Sequence, residues 1–275
     1  MKKMKAGLCQ FKVVDDKQTN LLKAGAFIER AAKAGAKLVV LPEMFNCPYV
    51  SELFPAYAEP LPGGPTAAML SRLARLHKIT LVGGSIPERD RGRVYNTAAV
   101  FDPAGHLVAR HRKMHLFDVR LKGVTMKESA TLSAGNTVTV FRTPFGNMGL
   151  LVCYDARFPE LFRLLQRHGV TAVVIPAAFS VTTGSAHWHA LLRMRAVDNQ
   201  VYVLAASPAR NPRAAYKAYG HSLAADPFGV ITAEAGTGET VVTAVLDPGR
   251  LKDVRARLPL LAHRRTDLYR VTNLT

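Results

Sequence analysis

Leu151-Val-Cys-Tyr-Asp-Ala-Arg-Phe-Pro-Glu160 sets a cysteine at the end of an apolar run, immediately before a polar turn and a helical pattern. A thiol there can act as a nucleophile, and a strand-to-helix junction aims backbone N–H groups at one point, where an oxyanion could be held. Most free cysteines are small buried hydrophobes, so Cys153 needs partners before it carries chemistry. Two more segments each deliver one ionisable group at a strand end. Val39-Val-Leu-Pro-Glu-Met-Phe45 delivers Glu43, and His111-Arg-Lys-Met-His-Leu-Phe-Asp118 delivers Lys113 in a basic cluster after a strand. Taken singly, Glu43 reads as a solvated loop acid and Lys113 as a surface charge. Ligand sites in open α/β sheets assemble at the carboxyl ends of strands, and Glu, Lys and Cys brought together there form a hydrolytic set.

The elements that must position these residues alternate. Lys5 to Phe11, Lys37 to Leu41 and Thr80 to Gly84 read as strands, with helical periods over 20–34 and 65–77 between them. Val94 to Phe101 and His106 to His111, joined by Asp102-Pro-Ala-Gly105, predict a β-hairpin whose second strand leads into Lys113. The rhythm resumes with strands at 138–142, 148–152, 172–175 and 201–205, helices over 160–168 and 186–199, and a β-rich stretch from Gly220 to Leu246. No low-complexity linker interrupts it. The 275 residues, 48% of them hydrophobic, predict a single domain over 1–275.

With the three segments in place, the chain resembles the nitrilase superfamily of carbon–nitrogen hydrolases. That family's Glu-Lys-Cys triad falls in this order on Leu41-Pro-Glu43, His111-Arg-Lys113 and Val152-Cys-Tyr-Asp155. The likeness runs nearly end to end, through Tyr95-Asn-Thr-Ala98, Glu128-Ser129, Gly220-His-Ser222 and Asp226-Pro-Phe-Gly229. Thr182-Thr-Gly184, Arg195-Ala-Val-Asp-Asn-Gln-Val-Tyr202 and Ala206-Ser-Pro-Ala-Arg210 look more like the ω-amidase branch than its sister, the deaminated-glutathione amidases. The resemblance implies an α/β fold, a four-layer αββα sandwich, assembled as a homodimer or higher homo-oligomer.

It also implies roles. Glu43 would take the thiol proton and return it to departing ammonia, leaving a thioester on Cys153. Lys113, with a backbone N–H near Tyr154, would bind the oxyanion and draw the thiol toward thiolate. Glu128 corresponds to the family's second glutamate, which aligns lysine and substrate. The expected substrate is a small anionic amide, such as 2-oxoglutaramate or 2-oxosuccinamate, and no cofactor is expected. Its free acid end requires a cation or donors opposite the amide, for which Tyr49, Arg157 and Thr183 are candidates. Arg157 could equally form an ion pair with Asp155 or Glu160. His187 and Trp188 are expected to shape the wall facing the nucleophile. Deaminated glutathione, an N-carbamoyl amine or a nitrile would call on the same triad. The chain departs from its relatives over Asp118 to Glu128, where they carry an acidic or proline residue near Arg120 and Lys122. That loop follows Lys113 and borders the expected entrance, so it bears on substrate choice.

Three cysteines cannot all pair, and none forms a C-x-x-C or a Cys/His ligand cluster, so neither a disulfide framework nor a metal site is expected. Cys9 belongs to a strand core, and Cys47 falls near the pocket wall. The net charge of +17 admits a nucleic-acid partner. The basic residues are dispersed, however, with no run of five and no basic-aromatic stripe, which argues against one. No apolar stretch reaches the roughly 18 residues a membrane helix needs, and Met1-Lys-Lys-Met-Lys-Ala-Gly-Leu-Cys-Gln10 enters a strand, so a cytoplasmic protein is expected. Gly220-His-Ser-Leu-Ala224 begins like a serine nucleophile elbow but ends in alanine. His115 has no evident orienting partner for a Cys–His enzyme, and Gly83-Gly84 is too short to cradle phosphate. A non-catalytic anion- or nucleic-acid-binding protein on the same fold is the alternative of a different class.

Overall fold

The computed structural model describes residues 1–121 and 123–274, so Lys122 lies outside the described residues. The first half runs β1 (Met4–Gln10), α1 (Lys17–Lys33), β2 (Leu38–Val40), α2 (Phe54–Tyr57), α3 (Pro65–His77), β3 (Thr80–Asp90), β4 (Arg93–Phe101) and β5 (Leu107–Arg112). A small hairpin, β6 (Asp118–Leu121) and β7 (Val124–Lys127), leads into the second half. There follow β8 (Thr139–Thr143), β9 (Gly146–Leu150), α4 (Pro159–Gln166), β10 (Ala172–Pro176), α5 (Val181–Asn199) and β11 (Tyr202–Ala206). The chain closes with β12 (Leu223–Ala225), β13 (Ile231–Glu234), β14 (Thr240–Leu246) and α6 (Pro248–Arg257).

Two six-stranded sheets result, ordered β14-β1-β2-β3-β4-β5 and β13-β12-β11-β10-β9-β8. Strand alternation decides what each face meets. In β1 and β2, Met4, Ala6, Leu8, Leu38 and Val40 point into the core shared with the second sheet. Their neighbours Cys9 and Val39 join Phe27, Ile28, Leu70 and Leu73 of α1 and α3 on the opposite face. Leu161, Phe162, Leu165, Trp188 and Leu192 of α4 and α5 cover the second sheet. The layers are therefore helix, sheet, sheet, helix, the αββα sandwich. Among the described residues no helix is long and apolar enough to cross a membrane.

Several elements differ from expectation. α5 starts at Val181, five residues early, because the Ser180 side chain caps it by accepting from Thr183 N at 3.2 Å. Gly184 lies inside the helix at a position where a Cβ would overlap the Tyr219 ring, so glycine is required there. Arg120 to Lys127, read as a loop, belongs largely to the β6–β7 hairpin, with Val119 opposite Met126 and Arg120 opposite Thr125. β3 continues to Asp90 across a register shift between Val82 and Ser85. α6 carries its own start signal, since Asp247 accepts from Gly249 N at 2.8 Å and Pro248 opens the first turn.

Candidate active site

Four side chains from both halves meet at the ends of strands. Glu43 follows β2 in one sheet, Cys153 follows β9 in the other, Lys113 follows β5, and Glu128 opens a short 3-10 turn after β7. Glu43, Lys113 and Glu128 are completely buried, and Cys153 is 5% exposed.

The backbone around Glu43 is shaped by Gly84. A Cβ at Gly84, whose φ is +59°, would overlap the Pro42 carbonyl oxygen. The resulting bulge in β3 lets Ser85 N donate to Pro42 O at 3.2 Å and Ser85 Oγ accept from Met44 N at 3.1 Å. Gly83-Gly84 thus serves close backbone packing beside the acid.

Lys113 is selected from three consecutive basic residues by strand alternation. Arg112 points outward to Glu88 and Asp90, whereas His111 and Lys113 point in. Asn96 holds two members of the site at once: its carbonyl accepts from Lys113 N at 2.8 Å, and its Nδ2 donates to Glu43 Oε1 at 2.8 Å. An asparagine inside a strand pattern, within the Tyr95-Asn-Thr-Ala98 likeness, is the only signal the sequence gives for it.

Cys153 takes φ +46°, a left-handed conformation that non-glycine residues rarely adopt and that clusters at functional sites. It begins a 3-10 helix running to Arg157, so the next backbone N–H, that of Tyr154, lies in a first turn with no intrahelical acceptor. Asp155 locks this turn to the Lys113 segment. Its carboxylate accepts from His111 Nε2, His115 Nδ1, and the backbone N–H groups of Val152, Met114 and His115, at 2.9–3.2 Å. Burial works against that charge, but the two histidine hydrogen bonds prevail and hold the carboxyl well below the usual range. His115 therefore does have an orienting partner, which sequence alone conceals. Its ring stacks on Phe158 at 3.6 Å, and its recorded bond is to Asp155 and not to the thiol.

Lys113 Nζ donates to Glu43 Oε1 at 3.0 Å and approaches Glu128 Oε1 and Oε2 at 3.0 and 2.9 Å. Glu128 Oε2 also accepts from Phe117 N at 2.7 Å, which fixes its orientation. Tyr49 OH lies 2.7 Å from Glu128 Oε1 and 3.2 Å from Glu43 Oε1, so the hydroxyl expected at the substrate instead bridges the two acids.

Burial sets the protonation states. It pushes the Glu43 carboxyl up, Lys113 pulls it back, Glu128 pushes it up again, and the balance lies above the ordinary carboxylate range. Burial opposes the charge on Lys113, yet Glu128 and Glu43 outweigh it and hold the ammonium well above its usual range. For Cys153, burial and then Glu43 raise the thiol, and Lys113 and the Ala178 N–H, 3.5 Å from the sulfur, do not reverse this. Lys113 does draw the thiol toward thiolate, as expected, but burial and Glu43 outweigh its pull. Among the described residues Glu43 Oε2 has no hydrogen-bond partner, while Cys153 and Glu43 are near enough to shift each other. One carboxylate oxygen is thus anchored by Asn96 and Lys113, and the other is left for a proton.

Two spaces meet here. Glu43, Tyr49, Tyr216 and Cys47 line a mostly apolar cavity of about 250 Å³. Cys153, Tyr154, Arg157, Thr183 and Tyr216 line a narrower pocket beside it. Tyr216, which no sequence pattern singled out, belongs to both, stacks on Tyr49 at 4.6 Å and donates to Ala178 O at 2.6 Å. Outside them the β6–β7 hairpin and the first turn of α5 bound a larger cavity of about 570 Å³.

The remaining candidates separate. Among the described residues Arg157 pairs with neither Asp155 nor Glu160; its guanidinium lies 4.7 Å from the Phe179 ring centroid and 3.2 Å from His187 Nδ1. His187 is exposed and lines neither space around the site. Trp188 is buried in packing, with Nε1 donating to His221 O at 2.7 Å. Thr183 reaches the narrow pocket while its hydroxyl lies 3.1 Å from Ser180 Oγ. Ser222 is spent on Gln10 and Ser207 and is no nucleophile. Cys9 donates to Phe27 O within the core.

The family model for carbon–nitrogen hydrolases matches residues 5–256. The chain is 47% identical to the omega-amidase NIT2 of Homo sapiens and 48% identical to that of Xenopus tropicalis, each over 98% of both chains. The crystal structure of Saccharomyces cerevisiae Nit3, a member of branch 10 of the nitrilase superfamily, superposes with a TM-score of 0.89 at 46% identity, covering 96% of this chain and 97% of that one. Matching sequence along the chain, the shared sandwich and a buried Glu, Lys and Cys at its strand ends make the chain a member of the carbon–nitrogen hydrolase family, within the nitrilase superfamily.

Proposed function

We propose that this hydrolase is an ω-amidase, cleaving the terminal amide of a small 2-oxo acid such as 2-oxoglutaramate to the dicarboxylic acid and ammonia. The omega-amidases among its relatives support that substrate class, and one observation carries it: Cys153 and Arg157 line the same narrow pocket. An extended amide whose carbonyl meets the thiol would point its free carboxylate at the guanidinium, in the bidentate manner arginine favours.

The resting thiol is neutral, so attack needs a base. Glu43 takes the Cys153 proton on its unpartnered oxygen as sulfur bonds to the amide carbon. The oxyanion forms beside Lys113 and the Tyr154 N–H. Two of the three Lys113 protons face the carboxylates, and the third makes only a long 3.4 Å contact to Tyr49 OH that it can exchange for the new charge. Glu43 then passes its proton to the nitrogen, the carbon–nitrogen bond breaks, ammonia leaves and a thioester remains. Water, deprotonated by Glu43, attacks that thioester; its collapse releases the acid and returns the proton to sulfur. Glu128 and Tyr49 hold Lys113 in place throughout.

Ammonia release from 2-oxoglutaramate, 2-oxosuccinamate, deaminated glutathione, an N-carbamoyl amine and a nitrile tests the reading. Activity should favour the first two. Losing a charged hydrogen-bond donor costs about 1.5–3 kcal/mol, so Arg157→Met should raise KM for them roughly 10- to 150-fold while affecting kcat far less. Hydrolysis confined to another compound, or an unchanged KM, would reassign the substrate.

A further inference from the structure

We propose that His189, His221 and Glu234 form a binding site for one divalent transition-metal ion of the zinc class, separate from the hydrolytic centre. They come from three elements, α5, the turn before β12 and the end of β13. Their ligand atoms all lie within 4.8 Å of one another. His189 Nε2 and His221 Nδ1 stand 2.7 and 3.0 Å from the same oxygen, Glu234 Oε1. Two imidazoles and one carboxylate are a donor set that zinc and its neighbours accept, whereas calcium and magnesium demand more oxygens.

The rings are held, which distinguishes this cluster from a chance surface contact. His221 sits at φ +56°, its N–H donates to Gly236 O at 2.9 Å, and its carbonyl accepts from Trp188 Nε1 at 2.7 Å. Tyr219 stacks on its ring at 4.3 Å, and the His189 ring meets that of Tyr219 edge-on at 6.1 Å. A backbone conformation strained by about 1–3 kcal/mol persists where its surroundings over-determine it, and here they aim a ring nitrogen at the shared oxygen. The three side chains are 23–33% exposed, so an ion can enter and water can complete its coordination. None of the three lines either space around Cys153 and Glu43. A bound ion would tie α5 to the β12–β13 edge of the second sheet.

Calorimetric titration of ZnCl₂ into tag-free Cys153→Ala protein, which lacks the nucleophilic thiol, decides the matter. Saturable binding of one ion per chain is expected, accompanied by a higher melting temperature and, with Co²⁺ in place of Zn²⁺, by visible ligand-field absorption. His189→Ala and Glu234→Gln should each weaken binding at least about tenfold and abolish the Co²⁺ spectrum, because each removes a ligand. Both positions are partly exposed, and a cooperative melt in EDTA confirms that the variants fold; His221→Gln replaces either one that does not. No saturable uptake, or uptake retained at full strength in the variants, would overturn the site.

Discussion

Glu43 and Glu128 contact the same lysine but are positioned for different work. Glu128 is satisfied by Lys113, Tyr49 and the Phe117 N–H, so it acts as a fixed counter-charge. Glu43 keeps one oxygen unpartnered and has its carboxyl raised by burial and by Glu128, which suits a group that accepts and returns a proton near neutrality. Because Glu128 raises Glu43, Glu128→Gln removes part of that rise, and the acid limb of kcat/KM should move to lower pH. Loss of Lys113 alignment should also lower kcat by about 10²–10³. Rate against pH for the variant and the parent checks both, and an acid limb that stayed or moved upward would contradict the assignment. Much at this scale was legible in the sequence: Glu43, Lys113 and Cys153 each follow a segment that reads as a strand. The roles of Asn96 and Tyr216 were not, because strand pairing and a turn-rich segment far along the chain bring them to the site.

The elements position the acid through close backbone contact. Gly84 allows the β3 bulge that seats Pro42 and Glu43. Gly84→Ala should therefore destabilise the fold by about 1–3 kcal/mol, and a displacement of Glu43 approaching 1 Å should cost about 10²-fold in kcat/KM. Gly92 offers the control, since its φ is +77° but a Cβ there meets nothing within 4 Å. Gly92→Ala should cost stability through backbone strain yet leave kcat/KM unchanged; equal losses in both variants would show that the bulge does not position Glu43. The β4–β5 hairpin was legible because Asp102-Pro-Ala-Gly105 is turn chemistry, and the strand pairs as expected, Thr97 opposite Arg112. The start of α5 and the β6–β7 hairpin were misread for physical reasons. Gly184 serves packing against Tyr219, and four-residue strands carry too few alternations to show a period.

Over the whole molecule, the site exists only because the two sheets face each other, one bringing Glu43 and Lys113 and the other Cys153. Local patterns predict the strands but not that β14, late in the chain, returns beside β1, pairing Met4 with Leu246 through Gln10 with Thr240. The resemblance implies the sandwich layers, and the structure supplies the order of strands within each sheet. Asp155, joining the Cys153 turn to the Lys113 segment, is a polar link between the halves at the site itself. The central claim is that Cys153 carries the acyl group between ammonia release and hydrolysis, and intact-protein mass spectrometry of enzyme acid-quenched during turnover of 2-oxoglutaramate tests it most directly. The account predicts an added mass equal to the substrate less ammonia, located on the Cys153 peptide and absent from Cys153→Ala. Turnover with no adduct on Cys153, accompanied by undiminished ammonia release from Cys153→Ala, would contradict it.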